Sequence, residues 1–202
     1  QAAGWAEAWA TPLAGDASQR RFERLKRLER GSGEATAVLI VGAPGAAEIE
    51  AFDRVARILR KLGLSAPMVL AKDAEAGLLL VEDFGDVNYG RQVEAGEDAA
   101  AYSLRATELL IALHRRFDPA EKDTADLPVY DTALFLEQVL LFLDSYLPAA
   151  TGAPASDAAR TEFRAAWAGL LPSACQVPTS LLLRDFHLGN LMHLAGRPGV
   201  RA

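Results

Sequence analysis

The sequence predicts an α+β fold of two lobes, in which a small antiparallel sheet with one helix is followed by a mainly helical lobe. Short apolar and β-branched runs separated by turns occupy the first 85 residues, and longer segments with helical periodicity follow them. Strands that come first and helices that come later are typical of an α+β arrangement. Because the pattern changes near residues 82–85, we expect lobes at residues 1–85 and 86–202.

The first lobe reads as a sheet that packs on one helix. Residues 21–28 and the β-branched run 36–41 predict an antiparallel hairpin. Apolar residues then recur every three and four positions over 46–62, which predicts a helix, and Gly63 stands where a C-terminal cap belongs. Two further strands, at 67–71 and 77–82, complete the predicted sheet.

The second lobe begins with a helix predicted over residues 99–117, and later helices are expected to start at Asp131 and Asp157 as N-caps. The longest apolar segments, such as 134–143, are too short or too interrupted by polar residues to cross a bilayer. We therefore predict a soluble protein.

Composition narrows the classes of partner. The chain has 202 residues, half of them hydrophobic, and a formal charge of −6, which gives no long-range attraction for nucleic acid or anionic membranes. A small-molecule partner is the better expectation.

Cys175 is the single cysteine, so it predicts neither an internal disulfide nor a zinc site and fits a reducing cytoplasm. The first residues lack an initiating Met and a secretory signal, so they read as an internal start. Oligomeric state is not predicted.

The most informative segment runs from Ser180 to Met192. An apolar, strand-like run delivers Asp185 into a loop, and Asn190 follows five positions later. Phosphoryl transfer uses such a pair, because an Asp accepts or orients the substrate hydroxyl proton while an Asn helps to hold the metal on the phosphates. The alternative is that both residues merely form a turn. His187 gains significance only from its place between them.

This loop resembles the catalytic loop of the aminoglycoside phosphotransferase and choline kinase superfamily. Two other segments, 15–22 and 79–86, are similar to the bacterial branch that contains the cell-wall amino-sugar kinases acting on N-acetylmuramate and N-acetylglucosamine. The three motifs span essentially the whole chain and occur in the family's order. The resemblance implies a protein-kinase-like fold with a nucleotide-binding first lobe, and a second lobe that is only partly contained in these residues.

The resemblance also implies an ATP- and magnesium-dependent phosphotransferase with assigned site residues. Asp185 would be the catalytic base, in a loop shared with Arg184 and His187, and Asn190 would be a magnesium ligand. Around the ATP phosphates the resemblance places the turn that contains Asp16, Ser18 and Arg20, and at the inter-lobe hinge near adenine it places Glu82 and Phe84. For Arg20, a solvated strand edge is the alternative interpretation.

Several features depart from the kinase pattern. The sequence Asp83-Phe84-Gly85 spells a metal-binding motif of protein kinases but precedes the catalytic loop, so we reject it as a metal site. Leu183 stands where protein kinases carry a His. The strand 36–41 contains no lysine to pair with Glu48 or Glu50, and Lys26 is poorly placed to replace it.

The chain also ends before the second metal-binding Asp that the family places on the next strand. It is therefore expected to be a fragment of a longer kinase. The alternatives are a catalytically inactive nucleotide- or sugar-binding module and a scaffold whose loop motif is coincidental.

Overall fold

A computed structural model describes residues 4–13, 20–29, 33–42, 45–124 and 127–194. These residues separate into two compact units, one formed by the described parts of 1–117 and 183–202 and the other by those of 118–182. The units differ in extent from the predicted lobes, because the loop after residue 183 pairs with residues 87–89. The division into lobes at residue 85 stays a prediction.

The first unit contains a five-stranded antiparallel sheet with the strand order β1-β2-β3-β5-β4. Its strands are β1 (Trp9–Pro12), β2 (Arg21–Glu29), β3 (Gly33–Val41), β4 (Val69–Asp73) and β5 (Leu78–Glu82). The predicted antiparallel sheet and the α+β class are confirmed. Strand β1 was not predicted, since its four residues are all exposed and carry no alternation.

Helix α1 (Gly45–Lys61) packs on one face of this sheet. Alternate residues of β3 and β5 form the cluster beneath it, in which Ile40, Leu79 and Val81 are buried with Ile49 of the helix. The intervening residues Ala37, Leu39 and Leu80 pack on the opposite face, as the period of two in a strand requires.

The helix α1 ends as predicted. The Gly63 amide donates to the carbonyl of Arg60 and the Leu64 amide to that of Leu59, which is the hydrogen-bond pattern of a Schellman motif. Gly63 has a φ of 77°, a conformation that glycine adopts at no steric cost.

The first unit also contains α2 (Tyr89–Glu94) and α3 (Ala99–Arg116). Helix α3 confirms the prediction over 99–117 and buries Tyr102, Leu109 and Leu113 on one face. Helix α2 was missed by the sequence analysis because it is only six residues long. Its N-cap is Asn88, whose side chain accepts from the Arg91 amide.

The second unit is helical, with α4 (Thr132–Leu141), a π-helical turn (Phe142–Tyr146), α5 (Leu147–Thr151) and α6 (Asp157–Ala174). Asp131 caps α4 as predicted. The prediction for α6 was wrong by one residue, because Ser156 is its N-cap and Asp157 lies in its first turn, where a negative charge is also favourable.

Residues Thr132–Thr151 form one helical run of 20 residues with a mean hydropathy of 1.3, long and apolar enough to cross a membrane by length and composition alone. This run is longer than the apolar segment 134–143 of the sequence analysis, because the π-helical turn and α5 continue the helix beyond residue 143. One such helix is weak evidence for a membrane span. Asp144 lies within the run and forms an ion pair with Arg160 of α6.

Candidate active site

The candidate active site is the loop from Leu183 to Asn190. It begins with a tight turn in which the Asp185 amide donates to the carbonyl of Leu183 at 2.6 Å, with Arg184 between them at a φ of 55°. A residue other than glycine rarely adopts this backbone conformation, and residues that do so cluster at functional sites. The loop ends in a single 3-10 turn at Leu188–Asn190.

The strand predicted immediately before this loop does not form. Residues 180–183 have an extended sequence pattern but no strand partner among the described residues, so they reach Asp185 as irregular backbone. The apolar run misled the prediction because a strand requires hydrogen-bond partners as well as apolar side chains.

Besides Arg184, three predicted site residues lie together in this loop. The Asp185 side chain is 84% exposed, and one of its carboxylate oxygens lies 3.5 Å from His187 Nε2. His187 Nδ1 accepts from the Gly189 amide at 3.1 Å, which orients the imidazole. Asn190 Nδ2 donates to the backbone carbonyl of Asp185 at 3.0 Å. The two residues separated by five positions are therefore linked by a direct hydrogen bond.

The loop is fixed from behind by residues 87–89. The Tyr89 amide donates to the Leu191 carbonyl at 2.8 Å, and the His193 amide donates to the Val87 carbonyl at 2.7 Å. The Tyr89 ring is fully buried against Tyr102 of α3, with ring centroids 4.8 Å apart. Two backbone hydrogen bonds and a buried ring contact therefore hold the loop that presents the Asp185 carboxylate.

Two glycines in this region have different surroundings. A Cβ added to Gly189 would lie 2.9 Å from His187 Cε1, whereas one added to Gly90 would meet the Gly189 backbone at 3.4 Å, an ordinary van der Waals distance. The absence of a side chain at Gly189 therefore leaves room for the His187 ring.

An apolar cavity of about 360 Å³ adjoins the loop within the first unit. It brings together three predicted site residues, Phe84, Asp185 and Asn190, and its remaining lining is mainly aliphatic, from α1, α3 and the residues that follow α1. A concave apolar site with a few polar groups is the usual form of a small-molecule site.

The predicted hinge residues lie at the end of β5. The Glu82 amide donates to the Met68 carbonyl at 2.9 Å, and its carboxylate accepts from the Met68 amide at 3.2 Å. Both groups of Glu82 thus bind the backbone of Met68, the residue that precedes β4. The roles of Glu82 and Phe84 stay predictions.

A partly buried ion cluster next to this hinge was not predicted. Arg24 of β2 donates to both carboxylate oxygens of Asp83, at 2.7 and 3.1 Å, and to both of Asp86, at 2.8 and 2.9 Å. The Arg24 and Asp83 side chains are only 14% and 4% exposed. The sequence carries little signal for it, because Arg24 is one of four basic residues in β2, and only the placement of Asp83 and Asp86 on either side of residues 84–85 was informative.

The cluster shifts the pKa of each carboxyl. Burial opposes the ionisation of Asp83, but hydrogen bonds from Arg24 and from the Gly85 amide outweigh it and hold the pKa of this carboxyl below its usual range. For the more exposed Asp86, the hydrogen bonds from Arg24 lower the pKa. The rejection of Asp83 as a metal ligand agrees with this arrangement, since its oxygens are occupied by a guanidinium.

Helix α1 carries two ion pairs to the sheet, contrary to the expectation that its acids lack donors. Arg20 Nη2 lies 2.7 Å from Glu48 Oε2, and Lys72 Nζ of β4 lies 2.7 Å from Glu50 Oε2 and 3.1 Å from Asp53 Oδ2. Arg20 is thus paired as well as partly exposed, so a solvated strand edge alone does not describe it. Lys26 pairs with Glu34 instead.

The remaining predicted residues, Asp16 and Ser18, lie outside the described residues. Among the described residues, no group of three or more His, Cys, Asp or Glu side chains could hold a metal ion.

Comparison with known proteins connects this geometry to a family. The model of the Phosphotransferase enzyme family matches residues 9–202. The chain is 32% identical to the N-acetylmuramate/N-acetylglucosamine kinase of Caulobacter vibrioides, over 93% of this chain and 59% of that protein. It is 30% identical to the kinase of the same name from Pseudomonas aeruginosa, over 98% of this chain and 56% of that protein. It is 29% identical to the kinase of the same name from Pseudomonas putida, over 97% of this chain and 56% of that protein.

The chain thus spans a little more than half the length of the curated relatives it matches. Both the family model and the relatives cover the sheet, the helices and the loop at Asp185, and the predicted resemblance is confirmed: the chain belongs to the Phosphotransferase enzyme family.

Proposed function

We propose that this chain is the nucleotide-handling part of a kinase that transfers a phosphoryl group from ATP to a hydroxyl of an amino sugar. The observation that carries the proposal is the exposed Asp185 carboxylate beside an apolar cavity, with Asn190 bound to the Asp185 backbone. The names of the relatives support an amino sugar as the acceptor.

Asp185 is the group that accepts or orients the proton of the attacking hydroxyl. A carboxylate suits this role because the transfer requires little covalent chemistry from the protein and depends on positioning and charge stabilisation. Because His187 Nδ1 accepts from the Gly189 amide, its Nε2 carries the hydrogen and faces the Asp185 carboxylate at 3.5 Å, and Arg184 sets the turn that presents Asp185.

Asn190 fits one position of a magnesium site. Its nitrogen is used by the Asp185 carbonyl, so the amide oxygen is the atom that would coordinate a cation. Magnesium prefers six oxygen ligands and takes only one or two of them from side chains in phosphoryl-transfer sites. When bound, the ion neutralises charge on the phosphates of ATP.

The first lobe would hold the nucleotide. Asp16, Ser18 and Arg20 are proposed to line the phosphates, and Glu82 with Phe84 to lie next to the base. Phe84 lines the same cavity as Asp185, which supports a site shared by the hinge and the loop.

We further propose that the protein works in the cytoplasm on a small molecule and binds neither nucleic acid nor membranes. The net charge of −6 disfavours polyanions, and the charged Asp144 lies within the one apolar helical run of the described residues that is long enough to span a bilayer.

The test uses the full-length product of the reading frame that contains this chain. Purified protein is incubated with MgATP and N-acetylglucosamine or N-acetylmuramate, and the phosphorylated sugar is quantified. We expect sugar-dependent product, and Asp185→Ala should lower kcat by roughly 10²- to 10⁴-fold. The melting temperature should not change, because the Asp185 side chain is largely exposed.

Glu108→Ala is the matched control, since it removes another exposed carboxylate, on α3, and should leave kcat unchanged. Full activity of Asp185→Ala would remove this residue from the mechanism. MgATP binding without product for any amino sugar would identify an inactive nucleotide-binding module instead.

A further inference from the structure

We propose that Arg20 binds the phosphates of ATP and that Glu48 is the residue that positions it. This strand-to-helix pair would replace the lysine–glutamate pair with which protein kinases hold the nucleotide phosphates. The inference rests on the proposed function, because it assigns a residue to the nucleotide site of that reaction.

Arg20 directly precedes β2, and its contact with Glu48 places its side chain on the side of the sheet that α1 covers. The side chain of Phe22, two residues later, packs into the cluster beneath the same helix. Its guanidinium reaches Glu48 at 2.7 Å across 28 positions of sequence. A small cleft lined by Arg20, Glu48 and the apolar side chains of Ile40 and Phe52 lies at this junction.

Glu48 is well placed to orient the arginine. It lies in the first turn of α1, where a negative charge is favoured, and the next residue, Ile49, is buried in the core beneath the helix. The carboxylate is therefore carried on a fixed part of the fold, although the side chain itself is about half exposed.

The chemistry of arginine suits the proposed role. A guanidinium has five N–H donors in a rigid plane, and a carboxylate bound at one nitrogen fixes that plane. Arginine forms bidentate contacts with phosphate, whereas lysine presents a point charge. In the sequence, Arg20 also comes two positions after the segment 15–18 that is proposed to line the phosphates.

The second ion pair of α1 provides an internal comparison. Lys72 reaches Glu50 at the same distance of 2.7 Å, and the two pairs are similarly exposed. Lys72 comes from β4, an edge strand of the sheet, and β4 lies far along the chain from the segment 15–18. A purely structural function predicts equal effects from the two pairs, while nucleotide binding predicts an effect from Arg20 alone.

The experiment measures the Kd of MgATP by calorimetry, and the KM values for ATP and sugar, in the full-length protein. Arg20→Ala should weaken MgATP binding at least about tenfold, the value of one lost charge-assisted contact, with little change in the KM for the sugar. Arg20→Lys should recover part of the affinity. Glu48→Gln should weaken MgATP binding by roughly two- to fivefold, since a half-exposed ion pair contributes only modestly to the orientation of the Arg20 guanidinium.

Lys72→Ala is the matched control and should leave the Kd unchanged. Equal Kd values for Arg20→Ala, Lys72→Ala and the parent protein would overturn the inference, and so would equal losses in both variants. If Arg20→Ala lowers the melting temperature more than Lys72→Ala, Arg20→Gln, which keeps length and polarity, takes its place. If the parent protein binds MgATP but phosphorylates no sugar, the proposed function is wrong. The role of Arg20 is then still tested by the Kd of MgATP in the Arg20→Ala variant. Absence of any MgATP binding overturns both.

Discussion

At the scale of single residues, the site depends on how His187 is held beside Asp185. The imidazole accepts a hydrogen bond from the Gly189 amide and lies close to that glycine, where a Cβ would come within 2.9 Å of the ring. Real Cβ atoms do not approach ring atoms so closely, so one of the two groups must move. His187 is more than half exposed and can turn outward.

We therefore expect Gly189→Ala to displace His187 and to lower kcat in the full-length protein with little loss of stability. The displacement is tested by a double-mutant cycle with His187→Ala, because two changes that act through one side chain are not additive. In the His187→Ala background, Gly189→Ala should have no further effect on kcat.

Gly169→Ala is the matched control. Gly169 lies inside α6, where an added Cβ would have no neighbour within 4 Å. This change should leave kcat intact and raise the free energy of unfolding by about 0.5 to 1 kcal/mol, as expected for glycine replaced inside a helix. Additive losses from Gly189→Ala and His187→Ala would contradict the link.

At the scale of elements, the cluster of Arg24 with Asp83 and Asp86 joins β2 to the segment that follows β5. Both carboxyls have a lower pKa in the folded protein than in the unfolded chain. A lowered pKa contributes stability that is present above the unfolded value of about 3.9 and is lost as the pH falls through the folded value.

Asp83→Asn should consequently lower the free energy of unfolding by about 2 kcal/mol at pH 7, because a nearly buried guanidinium loses one charged partner. The difference from the parent protein should shrink when the pH falls below about 4. Urea unfolding between pH 3 and pH 7, roughly the range of carboxyl titration, measures both effects.

Asp86→Asn provides the comparison within the same cluster. Its side chain is 60% exposed, so the loss at pH 7 should stay below about 1 kcal/mol. If both variants lost the same amount, burial of Asp83 would not explain the strength of the cluster.

The sequence predicted those elements whose pattern is local. Strands β2, β3, β4 and β5 correspond to short runs bounded by turn residues, and the helices α1 and α3 to apolar residues that recur every three and four positions. Strand β1 lacks such a pattern and forms only through pairing with β2. The run at 180–183 has the pattern but no partner among the described residues, so it forms no strand.

The same distinction applies to the site. Asp185 and Asn190 are only five positions apart in one loop, so their proximity follows from local spacing. Arg24 and Asp83 are 59 positions apart, and Arg20 and Glu48 are 28 apart. These pairs depend on which strands become neighbours and on the sheet face that α1 covers, and neither can be read from local spacing.

At the scale of the whole molecule, the helical run Thr132–Thr151 raises the question of membrane association. Its length and mean hydropathy of 1.3 satisfy the requirements for a span. Two features argue against insertion: Asp144 lies near the middle of the run, and its carboxylate pairs with Arg160 of α6. Moving this carboxylate to the centre of a bilayer costs about 2.5 to 3.5 kcal/mol by insertion scales and would break the ion pair.

We therefore expect the full-length protein to remain unbound when mixed with neutral phosphatidylcholine vesicles and separated by flotation. One apolar side chain of this run, Phe142, stacks on Phe163 of α6 with ring centroids 5.8 Å apart, a contact that insertion would break. Vesicles that contain anionic phosphatidylglycerol provide the second arm, since the chain's charge of −6 should repel them. Flotation with neutral vesicles would mean that the run leaves α6 for lipid. Flotation with anionic vesicles alone would instead indicate a local basic surface that overcomes the net charge.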